Sequence, residues 1–523
     1  MTQLTDKVDA LFSMWDTAGT PGCVVAVIQD GAMSYQRSYG MADLERQVSL
    51  SSQSVFDLAS VGKQFTAMLI ALLAQEGRLS LEDDVRRYIP ELPDYGHRIT
   101  IRHLIYHTSG LLDYTTLMEL TMKPFENRYF EGELLSLITR QKTLNFPPGT
   151  KYLYCNSGYF LLGVIAQRVQ DQPFTALLRQ YILEPLGMRR TDFNDDLRRV
   201  IPNRAIGYSP AEIDGFNTEI SFCGGFGDGP LLSTVEDLYR WDQNFYANRL
   251  GDGTQTLIEQ AVTSGTLNNG ASIGYGFGLA LGQHRGLPTV SHSGGWAGYV
   301  SQITRFPEQR FTVIILSNLN SIRPSVLATQ VAEIYLADLF PEAAPDNRPV
   351  TAGDTLQVDR SSVAGFYRSA EQGDILELTA DLQLTFYGMT RQLVALSATH
   401  FVDAERPFPL EVTRSESGDL SFIFRGEPDT YKKMAIQPID DFQSYAGEYY
   451  AGSLGIAYSL TINDQHVFMK RGYAPQEALR PVTQDVFTFE HLILEFRRDA
   501  HNQITGFDLR AGRVEQIQFL RQG

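Results

Sequence analysis

Six residues in the C-terminal third of the chain recur at one fixed distance. Ala364, Gly365, Tyr367, Leu378, Thr379 and Phe386 are matched by Ala446, Gly447, Tyr449, Leu460, Thr461 and Phe468, each 82 residues further on. A constant offset over well-spread matches marks a duplicated unit. The same stretch is made of short β-rich runs separated by turns, with little helical period. Two copies are too few for a solenoid, so each unit must close on itself. A small antiparallel barrel does so without leaving a free strand edge. Residues 356–437 and 440–523 are therefore read as two homologous β-barrel domains. The proline-bearing run from Pro341 to Pro349 reads as the linker before them, residues 341–355.

Residues 1–340 remain for another domain, and three domains suit a chain of 523 residues. Val8, Leu11, Phe12 and Trp15 give residues 1–19 one apolar helical face. Pro21-Gly22 ends that helix, and Cys23 to Ile28 reads as a buried strand. Asp30-Gly31 is a hairpin turn, followed by a strand from Tyr35 to Tyr39. A mainly helical region runs to about residue 190, and helix returns near 233–247. Strand patterns then resume at Gly274–Leu279, Thr289–His292 and Phe311–Leu316. Strands, then helices, then strands predict an α+β domain whose mostly antiparallel sheet is assembled from both ends of the segment.

Within this domain Ser60 and Lys63 form the chain's only Ser-x-x-Lys. Apolar residues at Phe65, Met68, Leu69, Leu72 and Leu73 place the pair at the start of a helix that Gly77 ends. Positions i and i+3 share a helix surface, so the hydroxyl and the amine would meet. A serine hydroxyl is a weak nucleophile, and a lysine kept neutral by burial or cationic neighbours can take its proton. A capping serine beside a solvated lysine would give the same spacing, so the pair needs partners elsewhere.

Two candidates follow. Tyr154-Cys155-Asn156 closes a loop that begins Pro147-Pro148-Gly149, ahead of the apolar helix Tyr159–Val169. Such a loop points Tyr154 and Asn156 into a cleft, and a phenol near a lysine ammonium has a lowered pKa and acts as general base. The other Tyr-x-Asn, Tyr246-Ala247-Asn248, ends an amphipathic helix and reads as packing. The second candidate is His292-Ser293-Gly294-Gly295, continuing a strand. Glycines there permit close approach of a ligand, and the N–H groups of Gly295 and Ser60 would form an oxyanion hole. His284-Arg285-Gly286 reads as a hairpin tip, and His107-Thr108-Ser109-Gly110 as a cap and structural loop. The chain contains no His-Glu-x-x-His pair, so no metal or cofactor is expected.

A net charge of −17 argues against nucleic acid or an anionic membrane as partner. The N-terminus has early acidic residues and no continuous apolar core, and no run is long enough to span a bilayer. Cys23, Cys155 and Cys223 are too few and too dispersed for a disulfide framework. A cytoplasmic protein is expected. The partner expected is a small-molecule, short peptide or ester substrate, with a homodimer left open.

Ser60-x-x-Lys63, Tyr154-x-Asn156 and His292-x-Gly294, in that order, resemble the three motifs of the penicillin-recognising serine hydrolases. This group includes class C β-lactamases, D,D-carboxypeptidases and D-aminopeptidases and is related to family VIII esterases. His107–Leu111, Pro185–Met188 and Gly229–Leu238 also resemble it, and Ser233 with Glu236 reads there as a capping box. The likeness spans roughly residues 20–320. It implies a β-lactamase/transpeptidase-like domain with an all-helical lobe and the site between lobes. It further implies Ser60 as acylated nucleophile, Lys63 as its activator, Tyr154 as general base and acid, and His292 lining the opposite strand. Asn156, Ser293 and Gly294 would contact substrate. His292 stands where class C β-lactamases carry Lys, which argues against β-lactamase activity because His is mostly neutral at pH 7. The two lipocalin-like barrels resemble the three-domain D-aminopeptidase layout, in which a loop of the last barrel narrows the active site. The loop Lys470–Gln476 is the candidate for that, set against an ordinary surface hairpin. The expected activity is acyl-enzyme hydrolysis of a small amide or ester, with a D-aminopeptidase-like peptidase ahead of a carboxylesterase. A non-turnover penicillin sensor and a lipocalin-like carrier are the readings from other classes.

Overall fold

Every residue from Cys23 to Ile28 is buried, because both faces of this strand are covered. The computed structural model describes residues 2–121, 129–194, 198–220, 227–340, 359–369, 375–386, 389–403, 410–424, 427–435, 438–472 and 474–523. The expected linker 341–355 and Cys223 lie outside them. Strands β1 (Cys23–Gln29) and β2 (Ala32–Tyr39) pair through the Asp30-Gly31 turn, both of whose residues have positive φ. The later strands β3 (Ala280–His284), β4 (Leu287–Trp296), β5 (Tyr299–Phe306) and β6 (Phe311–Ser317) complete an antiparallel sheet in the order β3-β4-β5-β6-β1-β2. The two ends of the domain meet where β1 pairs with β6, Cys23 opposite Ser317. The sheet is thus assembled as the order of elements predicts.

Alternation along β1 sorts its side chains between two layers. Cys23, Val25 and Val27 pack with Val8, Phe12 and Val331, from helices α1 (Thr2–Phe12) and α7 (Pro324–Tyr335). Val24, Ala26 and Ile28 face the helical lobe. That lobe contains α2 (Lys63–Gln75), α3 (Tyr114–Leu120), α4 (Glu131–Thr139), α5 (Asn156–Gln170) and α6 (Val235–Asn244). The sheet and α6 are tied by a buried ion pair in which Arg305 Nε donates to Asp242 Oδ1 at 2.7 Å, with both side chains enclosed. Thr312 Oγ1 donates to the same oxygen at 2.9 Å.

The α6 cap departs from expectation by one residue. Thr234, not Ser233, caps the helix, accepting from Asp237 N at 3.2 Å. Ser233 is held in a short strand opposite Phe56, so it is not free to turn.

Two closed eight-stranded antiparallel barrels follow, from Gly365 to Lys433 and from Gly447 to Arg521. The duplication is visible atom by atom. Gly365 pairs with Leu378 and Gly447 with Leu460, the two glycines having φ of 151° and 152°. Tyr367 donates its hydroxyl to Val363 O, and Tyr449 donates to Tyr445 O. The barrels join through the Arg480–Glu377 and Arg368–Glu495 ion pairs.

The second barrel also docks on the helical lobe. Tyr458 donates its hydroxyl to Leu120 O at 2.7 Å, and His491 meets Glu119 at 2.8 Å. Cys23 and Cys155 are buried and free. Among the described residues no helix is long and apolar enough to cross a membrane.

Candidate active site

The turn carrying Ser60 is strained. Ala59, just before it, has φ of +47°, a left-handed conformation that costs a non-glycine residue roughly 1 kcal/mol or more. Asp57, paired into the short strand before the turn, holds this geometry by accepting from Ala59 N at 2.8 Å. Burial pushes the Asp57 carboxyl up to about 6. Ser60 then sits half-buried in a short 3-10 turn, Ala59–Gly62, that runs into α2. The spacing predicts Ser60 in the first turn of a helix, and the tighter turn keeps it beside Lys63.

Lys63 is fully enclosed, and its Nζ makes three bonds. It donates to Ser60 Oγ at 3.1 Å, to Asn156 Oδ1 at 2.8 Å and to the carbonyl of Asp228. Burial lowers the amine to about 8, with Asp228 and Asp113 pulling up and Arg513 pushing further down. A neutral lysine has two N–H bonds and one lone pair. With Asn156 and the Asp228 carbonyl taking the two hydrogens, the lone pair is directed at Ser60 Oγ. The capping alternative, with a solvated lysine, therefore does not describe this pair.

Tyr154 reaches the cluster from the Pro147–Gly149 loop. The Cys155 N–H donates to His107 Nδ1 at 3.0 Å, and His107 O accepts from Leu153 N at 2.9 Å. His107 is thus the post on which the Tyr154 loop hangs, its own φ being +57°. The Tyr154 ring centre lies 5.0 Å from Lys63 Nζ. The expected lowering of its phenol is not found. Burial raises the group above the usual tyrosine value, outweighing Ser60 and Arg513, which pull it down. The resting phenol is protonated and so is set to give a proton rather than take one. Asn156 Oδ1 faces Lys63 and its Nδ2 donates to Thr115 Oγ1 at 3.3 Å. Both ends of the amide are thus engaged inside the protein.

On the opposite wall, β4 carries the third motif. His292 Nδ1 donates to Ser293 O at 2.6 Å, leaving Nε2 to accept from Tyr275 OH at 2.9 Å. Burial and then Lys63 lower His292 to about 4, so it is neutral at pH 7. Gly294 serves close approach. A Cβ there would lie 2.0 Å from Leu58 O and 2.5 Å from Ser301 Oγ, so only glycine lets β4 touch the turn that carries Ser60. Ser293 and Gly295 are exposed. β3 ends opposite Ser291, so no described strand covers that edge of β4 from His292 to Trp296.

The structure brings Ser60, Lys63, Tyr154, Asn156 and His292 into one cluster and adds residues that no motif marked. Asp113 is fully buried and accepts from Asn156 N at 2.6 Å and Thr116 N at 3.2 Å. Asp228 Oδ2 accepts from Tyr114 OH at 2.8 Å, and burial raises its carboxyl. Arg513, at a hairpin tip of the second barrel, lies 3.6 Å from Asp113 Oδ2 and 4.9 Å from the Tyr154 ring centre. Among the described residues, the barrel loop that reaches the site is the Ala511–Val514 hairpin. In the segment 470–476, Arg471 pairs with Glu477 within its own barrel, and Tyr473 lies outside the described residues. The expectation of a barrel loop at the site fits, but for another hairpin. A hydrophilic tip gives no sequence signal for what it faces across a domain boundary.

Residues 8–336 match the Beta-lactamase family. The chain is 34% identical to a penicillin-binding protein of Bacillus subtilis, over 80% of this chain and 96% of that protein. It is 26% identical to a D-aminopeptidase of Cereibacter sphaeroides, over 93% of this chain and 91% of that one. Among solved structures, an octameric penicillin-binding protein homologue from Pyrococcus abyssi superposes with a TM-score of 0.59 at 24% identity, covering 82% of this chain and all of its own. A D-amino acid amidase from Ochrobactrum anthropi SV3 gives a TM-score of 0.53 at 22% identity, covering 64% and 98%. At these identities the two structures speak for the fold.

Proposed function

The chain belongs to the Beta-lactamase family and is a serine hydrolase of the D-aminopeptidase and penicillin-binding-protein type, and from that premise we propose that it hydrolyses small D-aminoacyl amides and peptides through an acyl-enzyme on Ser60. The observation that carries this reading is the bonding of Lys63, whose two acceptors other than Ser60 aim its lone pair at the hydroxyl.

In the first half-reaction Ser60 Oγ attacks the substrate carbonyl as its proton passes to Lys63. The N–H groups of Ser60 and Gly295 hold the oxyanion, a contribution typically worth about 10²–10³ in rate per donor. The C–N bond then breaks, and the amine leaves with the phenolic proton of Tyr154, which Lys63 restores. In the second half a water loses a proton to Lys63, attacks the acyl carbon and releases the acid, and Ser60 regains its hydrogen. His292 fits a structural place in this scheme, since both ring nitrogens are engaged and the ring is neutral.

The test is a panel of D- and L-aminoacyl p-nitroanilides, short p-nitrophenyl esters and nitrocefin, run on wild type and Ser60→Ala. Turnover of D-anilides that Ser60→Ala abolishes is expected. Full activity in Ser60→Ala overturns the scheme. Ester turnover with inert D- and L-anilides replaces the peptidase reading with an esterase, and a stoichiometric burst without turnover replaces it with a sensor.

A further inference from the structure

Arg513 is placed by the second barrel with more care than a hairpin tip requires. Asn145 grips the hairpin on two sides, its Nδ2 donating to Arg513 O at 2.9 Å and its Oδ1 accepting from Glu515 N at 2.9 Å. Gly512, with φ of +48°, lets the tip turn against Thr116. The guanidinium is thereby laid over Tyr154 at 4.9 Å.

Among the described residues, its ion pair leaves donors free. The approach to Asp113 is 3.6 Å, beyond a hydrogen bond, and Asp113 already accepts from Asn156, Thr115 and Thr116. The Asp113 carboxylate is enclosed, whereas the Arg513 side chain is 37% exposed. A guanidinium has five donors in a planar fork that matches a carboxylate. The other two basic groups of the cluster offer no exposed cation, because Lys63 is enclosed and both nitrogens of His292 are engaged. A chain carrying a net charge of −17 repels anions overall, so binding one calls for a local cation of this kind.

We propose that Arg513 is the carboxylate-binding residue of this site, delivered from the second barrel, and that the preferred substrates are short peptides bearing a free carboxylate. The proposal rests on the acyl-enzyme reading above and names the substrate class within it. Because the cation comes from another domain, the barrel completes the substrate site rather than merely covering it.

The test compares kcat/KM for D-alanylglycine and D-alanylglycinamide, which differ only in carboxylate against amide, on full-length wild type, Arg513→Gln and Arg513→Lys. Wild type is expected to prefer the acid. The acid-to-amide ratio should fall at least about tenfold in Arg513→Gln, the worth of one hydrogen bond to a charged group. It should recover in part in Arg513→Lys, which keeps the charge and the hairpin contacts. An equal loss on both substrates in Arg513→Gln assigns Arg513 to structure and overturns the proposal. So does a wild type that hydrolyses both substrates without preference, which leaves the acyl-enzyme reading standing. If wild type hydrolyses neither and p-nitrophenyl acetate does not acylate Ser60, the acyl-enzyme reading fails and this proposal falls with it.

Discussion

Asn156 Oδ1 accepts from Lys63 Nζ at 2.8 Å, and with the Asp228 carbonyl it fixes the direction in which the amine can receive a proton. The amide is the neutral way to build such a contact. A carboxylate in its place would stabilise the ammonium and keep the lysine charged.

A pH profile reads this directly. In the proposed scheme Lys63 is the base and acts only when deprotonated, so kcat/KM should rise with pH through its value of about 8. Asn156→Asp brings a negative charge within a hydrogen bond of the amine and raises its pKa. The rising limb should then move to higher pH by about one unit or more. An unmoved limb in Asn156→Asp would assign it to another group.

Gly294→Ala tests the packing of β4 on the turn before Ser60. The added Cβ would meet Leu58 O at 2.0 Å, and backbone cannot swing aside as a side chain does. In the proposed scheme, displacing the Ser60 hydroxyl by about 1 Å should cost on the order of 10²-fold in kcat/KM. Gly132→Ala, in α4 and away from the site, is the control, since its Cβ would meet nothing within 4 Å. Thermal unfolding should separate the two variants in the same order. Wild-type activity in Gly294→Ala would refute the close-approach account.

Asp242→Ala leaves Arg305 charged and enclosed without its partner. Breaking a buried pair from one side costs about 3–5 kcal/mol, and the catalytic domain should unfold at markedly lower denaturant. Asp242→Leu with Arg305→Met removes both charges and should lose less than Asp242→Ala alone. A single variant as stable as wild type would mean that water reaches the site.

Docking of the second barrel should depend on pH through His491. Its bond to Glu119 raises its pKa above the usual histidine value, partly offset by burial. A raised folded value means that the stabilisation is fully present below the unfolded pKa, about 6.5, and is lost as pH rises through the folded one. Hydrogen exchange at 114–120 should therefore increase on the alkaline side, and Glu119→Gln should abolish that dependence. An exchange pattern indifferent to pH would remove His491 from the docking account.

Much of this molecule is legible in its sequence. The 82-residue offset specified two alike β units because duplicated units keep the residues that close them: the Gly365 and Gly447 register and the Tyr367 and Tyr449 hydroxyl bonds are the same device used twice. Ser60 and Lys63 were legible because a helical spacing is local, and Tyr154 and His292 because each ends a locally readable element. The one-residue slip at Ser233 and Thr234 arose because pairing with Phe56 overrides a cap signal.

What sequence alone determined, then, is which side chains meet in the cluster and the order of the elements that carry them. The tertiary structure decided their protonation. Burial lowers Lys63, raises Tyr154 against the expectation of a lowered phenol, and neutralises His292. Sequence could not state those signs, because desolvation depends on which distant segments enclose a group. Nor could it place Arg513, which reaches Tyr154 across 359 positions of chain through a domain contact that leaves no periodicity or motif behind.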